Sequence, residues 1–258
     1  MSSSLLDQVA DALSSAEHRI VRALVGVTIC LAAAHLAFVA ILAAVGRDRL
    51  HSAGLLAALD QLNLDAEANL STYFSCAILA FAGGLLLLTA HRVRNMCGPM
   101  PRHWLVLSWL FFAMSLDEFT SIHERFGEFL KLHYHAPGHG ALHFTWVVFG
   151  LPFAAIVGCL YLPFLLAQRR RLRNGMFFAG IVYLSGALGM ELIDGWYLDR
   201  HSENTIYYLL TMVEEVLEMA GVILLIRVLL RYGPRAGRAK TQKWPTAESI
   251  QPWAHSSS

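Results

Sequence analysis

The feature that most constrains this chain is the placement of acids inside apolar runs long enough to cross a bilayer. Asp117, Glu118 and Glu124 lie in FFAMSLDEFTSIHERF, Glu191 and Asp194 in YLSGALGMELIDGWYL, and Glu214, Glu215 and Glu218 in YYLLTMVEEVLEMAGVILLI. A carboxylate facing hydrocarbon is costly. Such groups therefore turn toward the interior of a bundle and mark a functional site by default. That interior must be assembled from several helices, because the acids recur in separate runs.

The rest of the composition agrees. The chain is 56% hydrophobic and 15% charged, where soluble domains run nearer a quarter charged. Apolar runs at roughly 20–46, 70–92, 103–126, 144–168, 175–197 and 206–231 predict an all-α integral membrane protein of about six transmembrane helices. Residues 1–19 read as a cytoplasmic N-terminus carrying an amphipathic helix, with Leu6, Val9, Leu13 and Ala16 on one stripe suited to the membrane surface. Residues 50–62 read as a similar interfacial piece on the outside, and 233–258 as a disordered tail rich in Pro, Arg and Ser.

Cation placement sets the expected orientation. Arg19 and Arg22 precede the first run. Arg92, Arg94 and Arg102 follow the second, Arg169, Arg170, Arg171 and Arg173 the fourth, and Arg227, Arg231, Arg235, Arg238, Lys240 and Lys243 cluster at and after the end of the sixth. The intervening loops are poorer in cations, so both termini are expected in the cytoplasm, with the protein in the plasma (inner) membrane. A net charge of +1 gives no nucleic-acid footprint. No cleavable signal peptide is expected, because Asp7, Asp11 and Glu17 occupy the place of a basic n-region. Cys30, Cys76, Cys97 and Cys159 read as small buried or cytoplasmic hydrophobes.

This topology places the acids of the third, fifth and sixth spans in the outer half of the bilayer, with Asp65, Glu67 and Asn69 at the lip of the second. Thr211, Glu214, Glu215 and Glu218 share one helical face, which Tyr207 and Tyr208 extend. Asp117, Ser121 and Glu124 share another, and Glu191 and Asp194 form an i,i+3 pair. His123 falls about 120° from Asp117 on a straight helix, so it joins the site only where the helix breaks. The loop KLHYHAPGHGALHFTW adds His133, His135, His139 and His143, the last where the fourth span begins. His35 stands alone in the first span and reads as a histidine bonded to a neighbouring helix. Trp104, Trp109, Trp146 and Trp196 suit an interfacial aromatic belt, and Gly83, Gly84, Gly186 and Gly189 close helix packing.

So many carboxylates cannot all stay ionised and unpaired in low dielectric. A divalent metal ion, Zn, Fe or Mn, neutralises them most economically, with Asp117, His123, His143, Glu191, Asp194, Glu214 and Glu218 as the candidate ligands. Glu118, Glu124 and Glu215 are then candidate general bases. No span contains the Glu-x-x-His pairs of di-iron bundles, and the chain lacks the His-x-x-x-His boxes of membrane desaturases. The sequence thus leads to a metal-dependent membrane hydrolase or oxidase acting on an amphipathic or lipid substrate. A proton- or cation-coupled transporter and a non-catalytic subunit of a membrane complex are the alternatives, and homo- or hetero-oligomers remain open.

Overall fold

The computed structural model describes residues 3–46, 53–96, 100–134 and 138–233, and all regular structure among them is helical. The order is α1 (Ser3–Ser15), α2 (Glu17–Val45), α3 (Ala53–Asp60), α4 (Leu70–Asn95), α5 (Pro101–Thr120), α6 (Ile122–Tyr134), α7 (Val147–Ala167), α8 (Arg170–Leu184), α9 (Glu191–Leu198) and α10 (Thr205–Tyr232). A 3-10 turn at Gly140–Leu142 precedes α7, and a π-helical segment at Ser185–Met190 joins α8 to α9.

Four stretches are long and apolar enough to cross a membrane: α2, α4, α7, and α8 through α9 taken together. A fifth is the bent pair of α5 and α6. The third apolar run is therefore not one straight helix. Ser121 adopts a left-handed backbone with φ 49°, and α6 leaves α5 at 65°. α10 is just as long, but Glu214, Glu215 and Glu218 keep it out of the apolar class. The large side chains of α7, including Phe153, Ile156, Leu160 and Leu166, are exposed, as a lipid-facing helix requires.

Helix ends follow local chemistry. Asn69 caps α4 by accepting from the Thr72 amide at 3.0 Å, and its amide nitrogen donates to the carbonyls of Asp60 and Asn63. Asn204 caps α10 in the same way, accepting from Ile206 and Tyr207. Pro101 occupies the first turn of α5, where its missing N–H costs nothing.

The core is a dry plug where α4, α5, α7, α8 and α10 meet, built on Leu86, Val93, Trp104, Phe164, Met219 and Ile226. Trp104 is fully buried, edge-on to Phe164 at 4.9 Å, so it belongs to this plug and not to an interfacial belt. A second cluster joins Phe38 and Val39 of α2 to Leu59 of α3 and to Tyr207 and Tyr208. α1 packs on α2, α4 and α10 and buries Ala10, with Leu5 and Val9 exposed; its Asp11 accepts from Arg92 at 3.0 Å, and Glu17 at the start of α2 accepts from Arg227 at 3.3 Å. His135 and Cys97 lie outside the described residues, as do Arg47 and Arg49 and all but the first residue of the 233–258 tail.

His35 shows how the site is held. Its ring is fully buried. Nδ1 accepts from the Leu64 amide at 2.9 Å, so the proton sits on Nε2, which donates to the Tyr208 carbonyl at 2.7 Å. One imidazole thus ties α2 and α10 to the loop that follows α3. His35→Ala leaves a buried N–H and a buried C=O without partners and opens a void. It is expected to cost about 2–5 kcal/mol, read as a lower melting temperature in detergent. A melt unchanged from wild type would show that the loop is held by other contacts.

Candidate functional site

The loop pinned by His35, the α5–α6 break, the first half of α7, the π-helical segment and the first half of α10 enclose a cavity of about 600 Å³. Nine carboxyl side chains line it: Asp65, Glu67, Asp117, Glu118, Glu124, Glu191, Glu214, Glu215 and Glu218. No lysine or arginine among the described residues does. Among the apolar side chains lining the rest are Met114, Phe126, Phe149, Phe153, Val157 and Leu188.

The helix break brings His123 into this cavity, where a straight helix would have turned it away. Ser121 bends the chain, its N–H reaching the Asp117 carbonyl at 2.6 Å. Asp117 Oδ1 then accepts from the His123 amide at 3.0 Å, capping α6, while Oδ2 pairs with His123 Nδ1 at 2.7 Å. The carboxylate therefore fixes the tautomer and aim of the ring. His123 Nε2 lies 3.9 Å from Glu124, and the ring stands edge-on to Trp146 at 4.7 Å.

A polar arc continues from there. Trp146 donates its indole N–H to Glu191 Oε1 at 2.7 Å. Glu214 has the Glu191 and Asp194 carboxyls as its neighbours. Asp194 is 1% exposed, and no N–H or O–H of the described chain donates to either of its oxygens. The neighbouring Glu124 carboxyl, with Ser121, Arg125 and His123 nearby, holds the Glu67 carboxyl below the usual glutamate range. Asp65 accepts from the Tyr207 hydroxyl at 3.0 Å.

Close packing sets the depth of the arc. A Cβ on Gly186 would stand 2.8 Å from the Glu214 carbonyl oxygen, so only glycine lets the π-helical segment lie directly on α10. Such segments often occur at functional sites because they turn side chains off the regular helical faces.

Asp117, His123, Glu191, Glu214 and Glu218 all line the cavity, as do Glu118, Glu124 and Glu215. Asp194 sits behind Glu214. His143 is elsewhere. It flanks α9, 3.9 Å from Asp199, which also has His139 within 3.7 Å. The Gly140 amide holds the Asp199 carboxyl below its usual range, and burial with Lys131 nearby pushes His143 down. His133 stacks on Phe129 and His201 on Tyr197. As arranged, the side chains do not fit a metal ion: no three His, Cys, Asp or Glu among the described residues form a group able to hold one. Asp117 is engaged by His123, Glu191 by Trp146 and Asp65 by Tyr207. Trp146, read as part of a belt, is a wall of the site, and nothing in its sequence neighbourhood marks it as such.

The chain belongs to a protein family described as a domain of unknown function (DUF8692), whose model matches residues 25–232. The match spans every element of the cavity. No curated protein and no solved structure matches the chain at a significant level.

Proposed function

We propose that this chain is a six-span enzyme of the plasma (inner) membrane, with both ends in the cytoplasm, that performs acid–base hydrolysis on an amphipathic, cationic substrate entering from the outer leaflet. One observation carries the reading. Nine carboxyls, and no lysine or arginine among the described residues, line a cavity whose remaining lining is largely apolar and aromatic. A positively charged head and an apolar body meet complementary surfaces there. His123, oriented by Asp117, takes the proton from the attacking water, and Glu124, close to its Nε2, accepts or returns it. Glu118 and Glu215 act as further proton-holding groups of the same wall. The dry plug of Trp104, Phe164, Met219 and Ile226 beneath argues against a conduit to the other side.

A divalent metal ion, Zn, Fe or Mn, is the second reading, favoured by the uncompensated carboxyls. It requires several of these side chains to come closer together than they stand here.

Hydrolysis of a panel of long-chain esters and amides, with and without an ammonium group, tests the first reading in nanodiscs. The ammonium-bearing members are expected to turn over. His123→Gln is expected to lower kcat by about 10²–10⁴ with little change in KM, and Glu214→Gln to raise KM. Turnover indifferent to His123 would sink the reading. Stoichiometric metal in the purified protein, lost in Asp117→Asn and Glu214→Gln, would put the second in its place.

A further inference from the structure

At the end of the bundle remote from the acidic cavity, a second cleft of about 500 Å³ opens between α4 and α5. Leu87, Ala90 and Leu105 form its apolar walls, and His91, Arg94 and Arg102 its rim. The three arginines near this end are not equivalent. Arg92 is buried and bonded to Asp11 of α1. Arg94 and Arg102 are exposed, and neither forms an ion pair among the described residues. His91 Nε2 engages Asn95 at 2.9 Å, which settles that ring at the edge of the cleft. The arrangement places two guanidiniums over an apolar slot on the outside of two apolar helices, where an acyl chain already has access.

We propose that this cleft is a binding site for an anionic phospholipid. The headgroup phosphate lies between Arg94 and Arg102, and one acyl chain runs along Leu87, Ala90 and Leu105. Guanidinium suits the phosphate because it offers paired N–H donors in a fixed plane. The lipid, rather than a free phosphate ion, is the occupant because the walls below the rim are apolar. The proposal is independent of the acidic cavity and of any reaction there.

Native mass spectrometry of the full chain in neutral detergent tests it, with phosphatidylglycerol, phosphatidylcholine and inorganic phosphate titrated separately. Wild-type protein is expected to hold one phosphatidylglycerol far more tightly than phosphatidylcholine and to show no saturable phosphate adduct. The double variant R94Q/R102Q is expected to weaken that lipid roughly 25-fold, from about 1 kcal/mol for each cation near an anionic headgroup. Substituting Arg170 and Arg171 by Gln is expected to leave it in place, and R94K/R102K to weaken it by less. Equal retention of the two lipids, phosphate binding as tight as the lipid's, or an undiminished adduct in R94Q/R102Q would each overturn the proposal. The thermal melt of R94Q/R102Q without lipid separates loss of the site from loss of fold.

Discussion

Gly221→Ala is expected to destabilise the bundle by ~3 kcal/mol or more, with a sharp fall in melting temperature and in yield of folded protein. The added methyl would stand 2.6 Å from the Tyr183 amide nitrogen and 2.7 Å from its Cα. Both are backbone atoms, so no rotamer change relieves the overlap, and α8 and α10 must separate. Their contact is one of the most extensive in the fold. It is also the seam on which the π-helical segment rides, so its separation pulls Gly186 off the Glu214 carbonyl and disorders the acidic wall. Gly84→Ala and Gly180→Ala supply the contrast. A Cβ at either position meets nothing within 4 Å, so alanine there is expected to be neutral or to stabilise by up to about 1 kcal/mol through helix propensity. Equal melting of Gly221→Ala and these controls would mean that the two helices do not pack as described.

The same seam shows what can and cannot be read from residue order. Helical class and the approximate extent of the apolar runs follow from hydropathy, because lipid leaves the backbone no alternative but to bond within each segment. That Glu214, Glu215 and Glu218 share a face follows from the helical period alone. His35 as a bridge between helices was equally accessible, since an unpaired imidazole in the middle of a span has few other fates. The break at Ser121 was not. A left-handed serine has no compositional signature, yet this one residue decides whether His123 faces the cavity or turns away from it. The place of Trp146 depends on the angle between α6 and α7, and the placement of His143 beside Asp199 depends on the 3-10 turn before α7. Neither is a property of local sequence. Gly186 and Gly189 look alike in the chain, yet a Cβ at Gly186 would collide with α10, whereas at Gly189 it meets nothing closer than 3.9 Å. Charge counting shows that the carboxyls need neutralising, but not how they stand in space: among the described residues no three His, Cys, Asp or Glu group closely enough to hold a metal ion.

Binding of a cation in the acidic cavity is expected to tighten as pH rises, by about tenfold per pH unit for each proton displaced. The sign follows from the crowding of charge. Nine carboxyls around one cavity cannot all be ionised at once in low dielectric, and a cation gains full carboxylate charge only after the protons they retain leave. Low pH therefore favours the protonated carboxyls and high pH the bound ligand. A dansyl-labelled alkylammonium, titrated into nanodisc-held protein between pH 5 and 8, gives the slope of log affinity against pH. A value near one to two protons is expected, and the protons released can be counted independently by calorimetry in buffers of different ionisation enthalpy. Glu214→Gln removes one titrating proton and one negative charge together, so both the affinity and the slope should fall. Glu67→Gln should lower both as well, and comparison of the two variants shows which carboxyl gives up its proton. A pH-independent affinity in the wild type would mean that the ligand never displaces the protons. The carboxyls would then be fixed structural elements of the bundle, and the cavity would bind its ligand through the apolar wall of α7.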